Sequence, residues 1–389
     1  MNTRSAIENS KIPTALSVAF NQDASCFSVG QESGFCVFDS DPCRIRVSRD
    51  FGAGIGIVQM VGKSNFIGMV GGGKQPKFSQ NKVVVWDDAK KKVVLQIHTP
   101  TVALGVRISK THIVVVLQNT VRAYKFQTPL KLWHAFETTD NFQGLCCLDS
   151  NTLAFPGRTS GQVQLVDLTT GSVSIIPAHG SSLRALVLSQ NGQIVATASE
   201  TGTLIRIFAT QSCARIAELR RGVDQAVIFS LAISPSGRLL AAISDKSTLH
   251  IFDIPNSYKS SPIIDISTCN QNPAGNPRKF LGETKEENEV NNKKWGFLGK
   301  IPMLPRMFSD NYSFASAQFE IADEDKNCLP NTQSKSKSPQ RVIGWVDDET
   351  IIVIGAGSNS KWEKFIIGKN VDGRRYCVRD GWKNYLIGI

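Results

Sequence analysis

The chain has 389 residues, of which 41% are hydrophobic and 20% are charged. This composition supports a sizeable buried core and excludes disordered and collagen-like chains. The formal net charge of +11 favours anionic partners, namely nucleic acid, acidic membrane surfaces or phosphorylated ligands, without choosing among them.

The nine cysteines are an odd number and include no C-x-x-C pair, so neither a disulfide framework nor a zinc module is indicated. We expect reduced thiols in the cytosol or nucleus, and no metal or cofactor. The N-terminus lacks the apolar segment of a signal peptide, and no run approaches the ~20 apolar residues of a spanning helix. Any membrane contact is therefore expected to be peripheral.

The chain repeats a unit of short alternating strands separated by Gly, Asn, Asp and Ser turns, a pattern typical of β-structure. The units recur at about 40–45 residues, which is typical of propeller blades. We therefore predict an all-β, seven-bladed, WD40-like β-propeller. The predicted blades are 14–51, 54–98, 102–136, 144–177, 182–219, 228–321 and 340–389.

A long polar insertion separates the third strand of blade 6 from its last strand, within residues 255–312. Structureless loops beyond about 12–15 residues are uncommon unless they are functional or disordered. We expect this loop to be flexible and to face a membrane. The stretch SFASAQFEI (313–321) is expected to complete blade 6.

Bulky apolar residues alternate with Lys and Arg in KKWGFLGKIPMLPRMF (293–308). One interpretation is that they cover the side of the propeller. The other is interfacial insertion into a bilayer, with basic side chains at headgroup level; the prolines argue against one long helix. The residues predicted to insert are Trp295, Phe297, Leu298, Ile301, Met303, Leu304, Met307 and Phe308.

The glycine-rich stretch GMVGGGKQPKF (68–78) fits G-x-x-x-x-G-K, but Gln75 stands where a phosphate-binding loop needs Ser or Thr, and a strand follows instead of a helix. We predict a turn between strands. No protease, hydrolase or kinase signature occurs, and the five histidines are dispersed. We therefore expect that the chain is not an enzyme.

Two adjacent arginines, Arg220 and Arg221, stand before the final glycine of the stretch RIAELRRG (215–222). We interpret this stretch as the outer strand of blade 5 and the crossing to blade 6. A solvated surface pair is one interpretation. The other follows from the alternation of side chains along a strand, which lets Arg220 and Arg221 reach two different sites. Gly222 is expected to permit the sharp backbone change of the crossing.

Phosphate suits these positions because the planar guanidinium matches its oxygens bidentately. Blades 5 and 6 align so that Arg206 and His250 are equivalent. Two pseudo-equivalent anion pockets are therefore predicted beside the arginine pair. Blade 5 offers His179, Thr197, Ser199, Thr201, Thr203 and Arg206, and blade 6 offers Ser244, Lys246, Ser247, Thr248 and His250.

The sequence resembles the PROPPIN family, the seven-bladed propellers that bind polyphosphoinositides and act in autophagy. The resemblance rests on L-R-R-G at 219–222, where the family has F/L-R-R-G, and on LVDL…PAHGSSLRAL (165–186), LHIFDI (249–254) and VGGGKQPKFSQNKVVVWDD (70–88). The leucine form resembles one branch of the WD-repeat phosphoinositide-interacting proteins. The tail after about residue 365 departs from the family pattern, so the way the ring closes stays open.

The resemblance implies a peripheral membrane effector that binds phosphatidylinositol 3-phosphate and phosphatidylinositol 3,5-bisphosphate at two rim sites. Arg220 would serve the first site with His179, Thr203 and Arg206. Arg221 would serve the second with Ser244, Lys246, Thr248 and His250.

The resemblance also implies a cytoplasmic protein that is recruited to phagophore (preautophagosomal) and endosomal membranes during autophagosome formation. An autophagy lipid-transfer protein is the expected protein partner, and we expect a monomer.

Three other functions stay open at this point. A WD-repeat scaffold would bind only proteins, and its basic charge would be incidental. RNA binding is suggested by the charge, but the basic residues are dispersed and no aromatic-and-basic strand platform is visible, so we expect no nucleic-acid partner. A propeller hydrolase lacks a candidate catalytic set.

Overall fold

The computed structural model describes residues 13–149, 151–255, 311–320, 341–357 and 360–387. Within these ranges the chain forms seven β-sheets, and every regular element is a strand. The innermost strands of the sheets follow one another around a closed ring. The prediction of an all-β, seven-bladed propeller is thus confirmed. No helix in these ranges is long and apolar enough to cross a membrane.

Each of the first four blades is a meander in which consecutive strands pair antiparallel. Blade 1 consists of β1 (Ala15–Phe20), β2 (Cys26–Gln31), β3 (Gly34–Asp39) and β4 (Arg44–Asp50). Blade 2 consists of β5 (Ile55–Met60), β6 (Phe66–Gly71), β7 (Lys82–Asp87) and β8 (Lys92–His98). Blade 3 consists of β9 (Gly105–Ile108), β10 (His112–Val116), β11 (Thr120–Lys125) and β12 (Lys131–Glu137). Blade 4 consists of β13 (Cys147–Leu148), β14 (Thr152–Pro156), β15 (Gln162–Asp167) and β16 (Val173–Pro177).

The last three blades keep this plan around the insertion. Blade 5 consists of β17 (Leu183–Leu188), β18 (Ile194–Ser199), β19 (Leu204–Ala209) and β20 (Arg215–Arg220). Its outer edge gains a fifth, parallel strand, β24 (Asn311–Tyr312). Blade 6 consists of β21 (Ile228–Ile233), β22 (Leu239–Ser244), β23 (Thr248–Asp253) and β25 (Ala315–Gln318). Blade 7 consists of β26 (Arg341–Trp345), β27 (Thr350–Gly355), β28 (Lys361–Lys369) and β29 (Arg375–Asn384).

The core lies between the blades. In the described part of the chain, seven apolar clusters fill the seven spaces between neighbouring sheets. The second strand of a blade is covered on both faces, so β18 is buried at every position, including the polar residues Thr197 and Ser199. The outer strand β8 alternates exposed and partly buried residues, because only one of its faces packs.

The glycine-rich stretch is a turn between β6 and β7, as predicted. A Cβ on Gly71 would lie 1.7 Å from the carbonyl oxygen of Phe78. Gly73 has a φ of 77°, a conformation that favours glycine. The glycines therefore meet the steric demands of a tight connection between strands.

The ring closes by packing blade 7 against blade 1, which settles what the sequence left open. Ala15 and Gly357 exchange two backbone hydrogen bonds of 3.1 and 2.9 Å. Trp362 Nε1 donates to the carbonyl oxygen of Ser40 at 2.8 Å. The ring of Tyr385 packs edge-on against Phe27 and Phe38, with centroids 5.5 Å away in each case. Blade 7 takes all its strands from the end of the chain, so closure depends on these side chains.

We expect Tyr385→Ala to lower the free energy of unfolding by about 3–5 kcal/mol, because it removes a buried ring at the closure. Tyr385→Phe is the matched control. It loses only the hydrogen bond from the hydroxyl to Gly355 O, 2.7 Å long, and should cost about 1 kcal/mol. Equilibrium urea unfolding measures both changes. Equal losses in the two variants would contradict a packing role for the ring of Tyr385.

Candidate functional site

The arginine pair lies where blade 5 ends. Arg220 is the last residue of β20 and pairs with Leu204, and two residues earlier Glu218 pairs with Arg206. Because side chains alternate along a strand, Arg220 lies on the same face of blade 5 as Glu218, and Arg221 is directed to the other face. The two arginines therefore belong to different spaces between blades. We name the space between blades 4 and 5 the first groove and that between blades 5 and 6 the second groove.

Arg206 is paired with an acid in the first groove. Its Nε donates to Glu218 Oε2 at 2.8 Å, and its Nη1 donates to Ala178 O at 2.6 Å. Arg215 Nη1 also donates to Glu218 Oε2, at 3.1 Å. Glu218 was not anticipated as a site residue. Because Glu218 stands two residues before Arg220 on the same strand, strand alternation alone places both side chains on one face.

His179 lies across the first groove from Arg206. Its Nε2 is 2.9 Å from Thr197 Oγ1, and that hydroxyl donates to Arg206 O at 3.3 Å. Since the hydroxyl has one proton, its oxygen accepts from His179 Nε2–H, and Nδ1 of the neutral ring carries a lone pair. Burial lowers the pKa of His179 to about 4, and the charge of Arg206 adds to this shift. The ring is therefore neutral at pH 7.

Arg221 enters the second groove as a buried cation, with 8% of its surface exposed. Its Nε donates to Gly202 O at 2.8 Å, and its Nη2 donates to Asp224 O. Burial lowers the pKa of the guanidinium, while the charges of Asp245 and Asp224 oppose that shift. Arginine stays charged in proteins. Within the described residues its hydrogen bonds go to backbone carbonyls, and no carboxylate forms an ion pair with it.

His250 faces Arg221 from blade 6. It is the third residue of β23, opposite Ala242, as Arg206 is the third residue of β19, opposite Thr197. The predicted equivalence of Arg206 and His250 is confirmed by this register. His250 Nδ1 lies 3.1 Å from Ser313 Oγ. Burial lowers the pKa of His250 to about 4, and the charge of Arg221 adds to the shift.

The remaining predicted residues lie in the turns beside these side chains. Thr203 precedes β19, and its carbonyl accepts a hydrogen bond from Arg221 N at 2.9 Å. Ser244 is fully buried at the end of β22, and its Oγ accepts from Lys246 N at 3.4 Å. The hydroxyl of Thr248 donates to Lys246 O at 3.1 Å. The side chain of Lys246 is exposed. Asp245 in the same turn interacts with the charge of Arg221, so the turn 245–247 borders the second groove.

The structure contradicts the role expected of Gly222. Its φ is outside the left-handed region, and an added Cβ would meet no heavy atom within 4 Å. Gly202 is the glycine that the junction requires, with a φ of 62°. A Cβ there would lie 1.8 Å from Ala226 O. The crossing after Arg221 uses ordinary backbone, while the constrained residue lies in the opposing turn, whose carbonyl holds Arg221.

The residues predicted to insert into a membrane lie outside the described residues. These are Trp295, Phe297, Leu298, Ile301, Met303, Leu304, Met307 and Phe308.

The profile of the PROPPIN family matches residues 15–271, which include the arginine pair, Arg206 and His250. The chain belongs to the PROPPIN family. SVP1-like protein 2 of Emericella nidulans is 53% identical over 330 residues, covering 84% of this chain and 99% of the relative. The solved structure of Kluyveromyces lactis Hsv2 matches this PROPPIN with a TM-score of 0.72 at 22% identity, over 96% of this chain and 99% of that one. A complex of KlAtg21 with the coiled coil of AgAtg16 matches with a TM-score of 0.63 at 18% identity, over 95% and 99% of the two chains.

Family membership identifies this PROPPIN as a phosphoinositide-binding β-propeller of autophagy. The two grooves combine charged arginines with hydroxyl groups and histidines at the edge of adjacent blades. Such groups suit the phosphates of an inositol headgroup.

Two glycine substitutions test the geometry of the junction. Gly202→Ala should lower the free energy of unfolding by more than about 1 kcal/mol, because alanine is strained at this φ and its Cβ meets a carbonyl. Gly222→Ala should change it by less than about 0.5 kcal/mol. Urea unfolding compares the two proteins. A larger loss for Gly222→Ala than for Gly202→Ala would reverse the assignment.

The two half-buried histidines, His179 and His250, predict acid sensitivity. In the folded chain the pKa values of His179 and His250 are about 4, below the ordinary value of 6.5. The unfolded chain therefore binds protons first as the pH falls, and stability decreases from pH 6.5 towards pH 4. Replacing both residues with Gln should reduce this decrease by roughly 1–3 kcal/mol per histidine. Unfolding at pH 7 and pH 4.5 measures the difference, and parallel losses in the two proteins would contradict neutral, half-buried rings.

Proposed function

We propose that this PROPPIN is a peripheral membrane effector that binds two phosphoinositide headgroups, one in each groove, and acts as a recruitment platform in autophagosome formation. The observation that carries the proposal is Arg221. A buried guanidinium held only by backbone carbonyls, within the described residues, leaves a desolvated positive charge beside the rim.

In the second groove, phosphate oxygens would meet Arg221 together with the turn 245–247 and His250. Two of the five guanidinium N–H groups of Arg221 are used in the bonds to Gly202 O and Asp224 O. The others are available for charge-assisted hydrogen bonds, which are stronger than neutral ones. We assign Ser244, Lys246, Thr248 and His250 as the companions of Arg221.

In the first groove, Arg220 would bind phosphate together with Arg206, His179 and Thr203. Glu218 accepts from Arg206 there, so an incoming phosphate has to share that guanidinium with a carboxylate. His179 uses its Nε2–H on Thr197. These two features should make the first groove the weaker of the two for a single anion.

The two grooves flank one blade of a rigid ring, so a second headgroup would bind intramolecularly after the first. Such an arrangement raises avidity by roughly 10²–10⁴ over one site. A bare basic patch would instead gain only about 1 kcal/mol per Lys or Arg from any anionic lipid. We assign phosphatidylinositol 3-phosphate and phosphatidylinositol 3,5-bisphosphate as the ligands on the basis of the family resemblance.

A ring bound to a membrane through the edge of blade 5 leaves the other blades accessible to proteins. We propose recruitment from the cytoplasm to phagophore and endosomal membranes, with an autophagy lipid-transfer protein as a partner. The complex of the similarly folded KlAtg21 with the coiled coil of AgAtg16 supports protein binding as a use of such a ring.

Flotation with liposomes that carry single phosphoinositides tests the proposal. Arg220→Thr with Arg221→Thr should lower binding to 3-phosphorylated lipids at least 100-fold, because both forks are removed. Lys90→Thr with Lys92→Thr is the matched control: it removes the same charge from exposed positions on blade 2 and should change binding less than threefold.

Because Arg221 is buried, Arg221→Lys serves as a second variant that keeps the charge but loses the planar fork. It should also weaken binding in a protein that circular dichroism shows to be folded at the temperature of the assay, although the lost bonds to Gly202 O and Asp224 O lower its thermal midpoint. If the double arginine variant folds and floats like the wild type, the chain is a protein-binding scaffold and the proposed function is wrong.

A further inference from the structure

The chain returns from the insertion directly onto the arginine motif. Asn311 and Tyr312 form β24, which pairs in parallel with Leu219 and Arg220. The chain then crosses to blade 6, where Phe314 N donates to Ile251 O at 3.0 Å. We name residues Asn311–Phe314 the return segment. It contacts both blades that border the second groove.

The side chain of Ser313 lies against His250. Its Oγ is 3.1 Å from His250 Nδ1. Within the described residues, His250 Nε2 forms no hydrogen bond, and the atom is not fully buried. The second nitrogen of the ring is therefore accessible, whereas in the first groove the hydroxyl of Thr197 occupies Nε2 of His179.

One arginine of blade 7 holds both ends of the insertion. Arg375 donates through Nη1 and Nη2 to both carboxylate oxygens of Asp253, the last residue of β23 before the chain leaves blade 6. The guanidinium also lies over the ring of Phe314, 3.5 Å from its centroid. Arg375 therefore connects the departing strand with the return segment without contacting Arg221 or His250.

We propose that the return segment completes the second groove and that Ser313 is a positioning residue that fixes the tautomer of His250. This inference rests on the proposed function. A serine hydroxyl either donates to or accepts from an imidazole nitrogen; the proposal is that Ser313 donates to Nδ1, which leaves the proton of the neutral ring on Nε2. The accessible nitrogen is then a donor, as a phosphate oxygen requires. Without the hydroxyl, the ring can hold its proton on Nδ1 and present a lone pair that repels the phosphate.

The neutral state matters because imidazolium would donate from either nitrogen, whatever Ser313 does. Burial, with Arg221 nearby, lowers the pKa of His250 to about 4, so the free ring is neutral at pH 7 and its tautomer decides whether it donates. Arg375 affects the tautomer indirectly. It holds the return segment through Phe314 and Asp253, and the return segment positions Ser313.

Calorimetric titration with soluble dibutanoyl phosphatidylinositol 3-phosphate tests the inference without any membrane contact of the insertion. Ser313→Ala should weaken binding about 5–10-fold, the effect of one lost hydrogen bond, and Ser313→Thr should restore it to within twofold. Arg375→Ala should weaken binding similarly. Arg374→Ala, which removes an exposed neighbouring charge, should not.

Imidazole ¹⁵N chemical shifts give a readout that a merely structural role would not move. The wild type and Ser313→Thr should show His250 protonated on Nε2, and Ser313→Ala should shift the proton towards Nδ1.

The two measurements together separate this inference from the proposed function. If the wild type shows no headgroup binding, or if Arg221→Lys leaves the affinity unchanged, the proposed function fails. If Arg221→Lys lowers affinity while Ser313→Ala keeps both the wild-type affinity and the Nε2 proton, the proposed function stands and the role of Ser313 is overturned.

Discussion

The hydrogen bond from Arg221 Nε to the carbonyl oxygen of Gly202 joins the crossing between blades 5 and 6 to the turn that precedes β19. A carbonyl dipole stabilises a buried cation but does not neutralise it, and the nearby Asp245 and Asp224 form no ion pair with Arg221 within the described residues, so the guanidinium keeps its positive charge. Burying an incompletely compensated ion costs several kcal/mol. The fold tolerates that cost here because Gly202, in a left-handed conformation, brings its oxygen to the guanidinium. An anion bound at the groove would recover part of this energy.

The two grooves are equivalent in backbone and different in charge. Glu218 compensates Arg206 in the first groove, whereas the position equivalent to Glu218 in blade 6 is Ser316, which pairs with His250. In the first groove, beside Arg220, Arg206 is thus paired with a carboxylate and the Nε2–H of His179 is in use. In the second, Arg221 is near the charges of Asp245 and Asp224 but forms no ion pair within the described residues, and His250 has an accessible nitrogen. If both grooves bind phosphate as proposed, these contacts favour unequal affinities for a single phosphate.

The repeat itself explains how far the sequence predicts the site. In every blade the third residue of the third strand pairs with the fourth residue of the second strand, so alternation and strand spacing locate these positions without a structure. The seven residues are Cys36, Val84, Arg122, Gln164, Arg206, His250 and Glu363. The groups that contact each of these residues come from other parts of the chain, so the repeat does not predict them. The carboxylate of Glu363, for example, accepts hydrogen bonds from Arg379 Nη1 and from Glu320 N.

The features that sequence analysis missed depend on contacts or dihedral angles that no local pattern records. Ser313 reaches His250 across 63 residues, and Arg375 reaches Asp253 across 122. Whether Gly202 or Gly222 is the conformationally required glycine depends on the backbone angle φ, which the sequence RRG does not reveal. The ring and the arginine pair were predictable because they follow from periodicity and from strand alternation. The ring closure was not, because Tyr385 and Trp362 act on blade 1 through tertiary packing.

The proposed role of Ser313 would link the placement of the return segment to headgroup binding in the second groove. If Ser313 sets the tautomer of His250, any force that shifts the return segment alters the affinity of the second groove for phosphate. Linkage is reciprocal, so a bound headgroup must favour the placement of the return segment by the same free energy. Arg375 sets the strength of this coupling because it holds the two ends of the insertion to blade 7. On the proposed roles, the return segment and the headgroup site would act as one unit only while the Arg375–Asp253 pair and the contact of Arg375 with Phe314 persist.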